Sequence, residues 1–235
     1  MSDAEDPALP ASSALGTREY WESHYARELE NYEECQDEGE IWFGRQAETR
    51  AVEYILKEAK EGCRILDLGC GNGHFLRRLR KARSTWKSLT GTDYSEQSIA
   101  LCKRIEVEEK EEDDELKEIR YEVVDILSED SINCLQEKYD IIHDKGTWDA
   151  ISLSDDRSIR LDAYRSAIDR LLIEGGLFII VSCNYTTDEL RAFFESSSSL
   201  HYLHELPEAA VKRAQSFSFG GKTGATFHTA VFRRG

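Results

Sequence analysis

Between Arg64 and His74 the chain reads Ile65-Leu66-Asp67-Leu68-Gly69-Cys70-Gly71-Asn72-Gly73, a short apolar run that ends in three glycines at alternate positions. The run has the length and apolarity of a buried strand, and the residues after it resume helical spacing. Glycines at such a junction let the backbone pass close to a ligand. The free N–H groups at the start of the next helix then face acceptor groups such as a carboxylate. A strand, a glycine turn and a helix make half of a parallel unit, so further strands must lie beside the first.

The rest of the chain supplies them. Strands are expected at Ser88–Thr92, Tyr121–Val124, Tyr139–His143 and Leu177–Val181, the last after a Gly175-Gly176 turn. Helices are expected from His74, over Ser95–Glu109 and Ile159–Leu172, and from Thr187. Two closing strands, His201–Leu206 and Thr226–Arg233, have no helix between them. This alternation predicts an α/β fold with a doubly wound, mostly parallel, Rossmann-like sheet of seven strands, closed by an antiparallel C-terminal hairpin. Ahead of it, residues 1–15 are expected to form a disordered acidic tail. Residues 16–62 are expected to form a helical cap on the core at 63–235, all in a single domain. In the cap, Trp21, Tyr25, Leu29 and Tyr32 recur at helical spacing, and Ala47, Ala51, Val52 and Ile55 mark a second amphipathic helix. Between them Gly39 and Gly44 flank Ile41-Trp42-Phe43.

Composition narrows the partners. A formal net charge of −16 argues against nucleic acid, because phosphate binding needs basic surface, and favours a basic partner. Six cysteines are scattered without a C-x-x-C pair, which speaks against zinc and for reduced thiols. No signal peptide or apolar run of about 20 residues is present, so a cytoplasmic monomer away from membranes is expected, with nothing that bars it from the nucleus. Residues 106–118 hold nine acids and two lysines. Such a run reads as a solvated, partly helical excursion or as a docking patch for a basic partner.

The glycine turn is not a dinucleotide fingerprint, because His74 stands where G-x-G-x-x-G needs its third glycine. The pattern is D-x-G-x-G-x-G. Some 20 residues past Gly73, Asp93 ends the second strand, where a carboxylate can accept both ribose hydroxyl protons or serve simply as a helix N-terminal acid. The turn resembles motif I of the class I S-adenosylmethionine-dependent methyltransferases. That resemblance implies a cofactor site in which Asp67, Gly69, Cys70, Gly71, Asn72 and Gly73 wrap the methionine part, Asp93 and Tyr94 meet the ribose, and Asp125 and Ile126 meet the adenine. It also implies a methyl-transfer site at the carboxyl end of the fourth strand, near Asp144. There Asp144 either orients the cofactor's amino group or receives the amine, unless it is a strand-end acid packed against a helix start. Lys145 pairs with Asp144 or Asp149 in this reading and takes no catalytic role.

Narrower segments bring a closer likeness. Gly39-Glu40-Ile41-Trp42-Phe43-Gly44, Asp144-Lys145-Gly146-Thr147-Trp148-Asp149-Ala150, Ser182-Cys183-Asn184-Tyr185 and Phe217-Ser218-Phe219-Gly220-Gly221-Lys222 together resemble the elongation factor 1-alpha lysine methyltransferases of the methyltransferase-like group. The likeness spans roughly residues 14–235 and implies a protein substrate, elongation factor 1-alpha, methylated on a lysine ε-amine. By analogy with that family, Trp42 closes over the cofactor. The C-terminal glycine loop, with Ser216 where a phosphate-binding loop needs its first glycine and a strand after it, is expected to contact substrate. At an ordinary pKa of about 10.4, only about one lysine in a thousand is neutral near pH 7.4, a cost of roughly 4 kcal/mol. A dry aromatic slot lowers that cost, and Trp42, Phe43 and Trp148 are its candidate walls, with ordinary packing as the alternative for the last two. The competing functions are a small-molecule N- or O-methyltransferase and a non-catalytic scaffold of the same fold. No metal is expected, since His74, His143 and His228 lack ligand spacing.

Overall fold

Strand β1 (Arg64–Leu68) is buried on both faces, which is why it carries a continuous apolar run rather than an alternating one. The structure, a computed structural model, describes residues 12–196, 198–207, 217–219, 222–224 and 227–235. Around β1 the chain runs α1 (Arg18–Cys35), α2 (Gly44–Glu58), β1, α3 (His74–Ala82), β2 (Ser88–Asp93), α4 (Glu96–Glu112), β3 (Arg120–Val123) and α5 (Glu129–Ile132). It continues through β4 (Tyr139–Lys145), α6 (Thr147–Ser152), α7 (Arg157–Leu171), β5 (Leu172–Ser182), α8 (Thr187–Ser196) and β6 (Leu200–Glu205). It closes with a small hairpin, β7 (Phe217–Phe219) and β8 (Lys222–Gly224), and with β9 (His228–Arg234).

Seven strands form one sheet in the order β3-β2-β1-β4-β5-β9-β6. All pairs from β3 to β5 are parallel, and β9 runs antiparallel to both β5 and β6. The expected architecture is therefore present, with the last strand inserted between its two predecessors. Alternate side chains of β5 serve opposite cores. Phe178 and Ile180 pack with Trp148, Tyr164, Phe194 and Phe232. Ile179 packs on the other face with Ile55, Ile65, Phe75 and Leu76.

Several boundaries differ from those expected. Packed structure is present ahead of residue 16: Ala14–Gly16 is a 3-10 turn, Ser13 N–H donates to the Leu153 carbonyl (3.0 Å) and Trp21 Nε1 to the Leu15 carbonyl (2.7 Å). Residues 1–11 lie outside the described residues. β5 starts at Leu172, and Gly175-Gly176 is an irregularity inside it. The register jumps from Tyr139 opposite Leu172 to Ile141 opposite Leu177, and Gly175 takes φ +75°. α5 and α6 are too short to carry a helical period, so no pattern announces them.

The acidic run is not all solvated. α4 extends to Glu112, and its inward face presents Glu106 and Glu109 to α3. Arg80 donates to Glu106 Oε1 (2.6 Å) and also pairs with Glu109, which Lys81 Nζ reaches at 2.6 Å. Two of the nine acids in the run are thus the counter-charge of a buried arginine.

Candidate active site

The strand order reverses between β1 and β4, and in open α/β sheets the crevice at that reversal is where ligands bind. Here the crevice is a cavity of about 620 Å3, counting the space open at its mouth. Its floor is the glycine turn after β1. Gly69, Gly71 and Gly73 take φ of 59°, 55° and 71°, a region unfavourable to other residues. A Cβ on Gly69 would fall 2.0 Å from Thr147 Oγ1, and one on Gly71 2.6 Å from the Tyr25 hydroxyl. Gly69, Cys70, Gly71 and Asn72 line the cavity from β1, and Lys145, Gly146 and Thr147 line it from β4.

Asp93 stands at the rim of this floor, where β2 ends. Its Oδ2 accepts from Gly71 N–H (3.1 Å) and its Oδ1 from Ser95 N–H (3.0 Å). Burial pushes its pKa up to about 6, with those two backbone donors pulling the other way. The carboxylate faces the cavity beside Tyr94. Tyr94 is fixed by Arg18, whose Nη2 donates to its carbonyl at 2.7 Å.

Not every expected residue reaches the cavity. Asp144 is fully buried and lies outside the lining. Its Oδ1 accepts from Thr147 N–H (2.9 Å), and its Oδ2 from Trp148 N–H (3.0 Å) and the Tyr164 hydroxyl. It is the anion at the α6 N-terminus, held there by the helix dipole and its free N–H groups. In this structure Asp144 takes the strand-end position against a helix start that was the alternative for it. Burial, with the nearby Asp149 charge adding to it, lifts its pKa to about 7 against the Tyr164 hydrogen bond. Asp67 is likewise turned under the floor, its Oδ1 2.7 Å from His143 Nδ1, and Phe75 stacks on that imidazole. Asp125 and Ile126 are also absent from the lining. Asp125 accepts from Leu127 N–H (2.9 Å), and Ile126 joins the buried core beside Leu66 and Leu68. Gly73 is one residue beyond the lining, its side packed on Tyr121 and Cys102.

The walls come from the N-terminal cap, where Trp42 and Phe43 were the candidates and Trp21 and Tyr25 were not. Trp21 and Tyr25 of α1 line the cavity together with Glu40, Trp42 and Phe43. Trp42 meets Trp21 edge-on with ring centroids 5.1 Å apart, and His24 at 5.7 Å. Phe43 lies against Gly146 and takes the left-handed φ of 63° at the start of α2. Asn72 fastens this segment to the turn, its Nδ2 donating to the carbonyls of Glu38 (2.9 Å) and Glu40 (3.2 Å). Arg77 adds an ion pair to Glu38 and donates to the Asn72 carbonyl (2.5 Å). Trp148 is no wall: it is buried among Tyr164, Tyr185, Phe193 and Phe194. The aromatic spacing in α1 was legible as an apolar face, but nothing in it told which neighbour that face would cover.

Asp149 ties two of the narrow motifs together. Its Oδ1 accepts from Ser182 Oγ (2.6 Å) and its Oδ2 from Cys183 N–H (3.0 Å), so the segment after β4 and the segment ending β5 form one buried joint. Of the C-terminal loop motif, Phe217–Phe219 and Lys222 fall in β7 and β8, whereas Gly220 and Gly221 lie outside the described residues.

Known proteins agree with this geometry. Residues 59–226 match the methyltransferase-domain family. EEF1A lysine methyltransferase 2 of Danio rerio is 38% identical over 226 residues, 95% of this chain and 89% of that protein. Protein-lysine N-methyltransferase efm4 of Schizosaccharomyces pombe is 37% identical, over 96% of this chain and 95% of that one. Among solved structures, magnesium protoporphyrin IX methyltransferase from Synechocystis, with bound S-adenosylmethionine, superposes with a TM-score of 0.62. It is 15% identical and covers 96% of this chain and 99% of its own, which shows the fold. An open α/β sheet with a glycine-floored crevice at its reversal, together with near-full-length likeness to these enzymes, places the chain in the methyltransferase-domain family, in the group that contains EEF1A lysine methyltransferase 2 and efm4.

Proposed function

We propose that this enzyme transfers methyl groups from S-adenosylmethionine to a lysine ε-amine of translation elongation factor 1-alpha. The observation that carries the reading is identity of 36–38% over at least 94% of the chain with five proteins named as EEF1A or protein-lysine methyltransferases. The cavity suits that cofactor: the turn leaves no Cβ in the way, and Asp93 offers a buried carboxylate to hydroxyl donors. Gly69, Cys70, Gly71 and Asn72 would hold the methionine part, and Asp93 with Tyr94 the ribose. The Asp125–Ile126 backbone, set back from the cavity, would border the adenine end.

When bound, the cofactor supplies a methyl group already activated by its sulfonium. This chain's part is to orient the partners and to keep water out. Trp21, Tyr25, Trp42 and Phe43 give the cavity an aromatic wall, which disfavours the ammonium form of an incoming lysine and so lowers the cost of reaching the neutral amine. Asp144 acts at one remove, by fixing the start of α6 and with it Thr147, whose hydroxyl donates to the Leu68 carbonyl (2.7 Å) behind the floor.

The test is methyl transfer from labelled S-adenosylmethionine to purified elongation factor 1-alpha, with peptide mass spectrometry to locate the product. A methylated lysine is expected, and Asp93→Ala should abolish both product and cofactor binding while the protein stays folded by circular dichroism. Cofactor binding without transfer would refute the substrate and turn the search to other proteins or small molecules. Unchanged cofactor affinity in Asp93→Ala would remove the ribose assignment.

A further inference from the structure

Among the described residues that line the cavity, Lys145 carries the only positive charge. It is the last residue of β4, directly before Gly146 with its φ of 89°, and it is partly buried. Its Nζ makes no hydrogen bond or ion pair with any described residue. Four carboxylates lie close enough for their fields to reach it: Glu48, Asp67, Asp144 and Glu40. Three of these are already committed elsewhere. Glu48 holds His74 Nδ1 (2.8 Å) and Arg78 Nη1 (3.1 Å), Asp67 holds His143, and Asp144 caps α6. The fourth, Glu40, is exposed at the mouth.

Burial lowers the Lys145 pKa and the surrounding carboxylates raise it, with burial prevailing. A partly buried ammonium with no hydrogen-bonded or ion-pair partner is costlier to keep than a paired one. An anion arriving from the cavity side would supply the direct partner that Lys145 lacks. The cofactor assigned to this cavity carries one suitable group, the α-carboxylate of its methionine part. The amino group beside that carboxylate suits the acidic surroundings equally well.

Resting on the assignment of the cavity to S-adenosylmethionine, we infer that Lys145 is the counter-ion of the cofactor's α-carboxylate, anchoring the amino-acid end at β4 across from the glycine turn. Lys145 is then a binding residue, neither the structural partner of Asp144 or Asp149 nor a proton acceptor. Neither Asp144 nor Asp149 makes an ion pair with it, and their oxygens accept from other donors.

Two ligands that differ in the carboxylate test this without turnover. S-adenosylhomocysteine has the amino-acid tail, and 5′-methylthioadenosine keeps the nucleoside and lacks the tail. Their binding to the wild-type protein, Lys145→Met and Lys145→Arg is measured by calorimetry. A hydrogen bond between charged groups corresponds to roughly ten- to hundredfold in affinity. Lys145→Met should therefore lose about that factor for S-adenosylhomocysteine and bind methylthioadenosine unchanged, which also reports that the site is folded. Lys145→Arg should recover most of the loss. Equal loss for both ligands, or no loss for either, would overturn the proposal. Failure of the wild-type protein to bind either ligand would instead sink the cofactor reading on which it rests.

Discussion

Asp93 and Asp144 show what a residue's identity does and does not reveal. Both stand at the carboxyl end of a strand ahead of a helix, Asp93 as the last residue and Asp144 as the last but one, and both read as site acids. A strand sends successive side chains to opposite faces, so Lys145 borders the cavity while Asp144, one position earlier, turns into the core beneath α7. Sequence gives the alternation but not its phase, and the phase decides which of the two meets a ligand. Asp93 and the glycines were legible because their spacing follows from ligand geometry. Tyr25 and Trp21 were not, because an aromatic at helical spacing is the same pattern whether it covers a core or a cavity. The Asp93 environment also carries a pH signature. Its folded-state pKa is about 6 against an ordinary 3.8, so keeping it ionised costs stability, a cost that sets in as pH rises from about 4 to 6 and is absent below. Hydroxyl donors from a bound ribose favour the ionised form. Cofactor affinity should therefore rise with pH between about 5 and 7 with uptake of the ligand releasing up to one proton, measured by calorimetry in buffers of differing ionisation enthalpy. A flat profile would mean that Asp93 does not titrate against the ligand.

At the scale of elements, the helices that flank the glycine turn are joined by charge as much as by apolar packing. Arg80 is almost wholly buried between α3 and α4 and also donates to the Lys117 carbonyl (3.1 Å), spanning the far end of the acidic run. The run was visible in the sequence as a block of like charges, but the inward pairing of Glu106 and Glu109 was not, because their shared arginine sits 26 and 29 residues upstream of them on another helix. Removing one partner of a buried pair leaves the other desolvated and alone, at about 3–5 kcal/mol. Arg80→Met should lower stability by about 3 kcal/mol in urea unfolding, and removing the stranded charge by Glu106→Gln in the same chain should restore part of it. A loss below about 1 kcal/mol would assign the cluster to the surface. The glycine pair in β5 failed as a turn signal for a related reason. Glycine marks a left-handed residue, and a bulge within a strand needs one just as a turn does.

For the molecule as a whole, the net charge of −16 was the plainest statement in the sequence and bears on encounter rather than on fold. With a basic protein substrate, kcat/KM should fall several-fold between about 50 and 300 mM salt while cofactor affinity changes little, since long-range attraction is screened and the contacts inside the cavity are not. Equal salt sensitivity of both would place the effect in the cofactor site. The alternation of strands and helices made the sheet legible, and the pairing of the closing strands was anticipated, but the slot that β9 occupies was not, because order within a sheet depends on packing rather than on any local pattern. That slot has a consequence for the growing polypeptide. β9 hydrogen-bonds to both β5 and β6, yet it is made some 23 residues after β6 is complete. As the ribosome extends the chain, β6 emerges with no strand to join, and β5 presents an open edge beside it. Both wait on residues still inside the exit tunnel, so the interval before Arg234 is released is when a nascent chain is most open to pairing with another copy of itself.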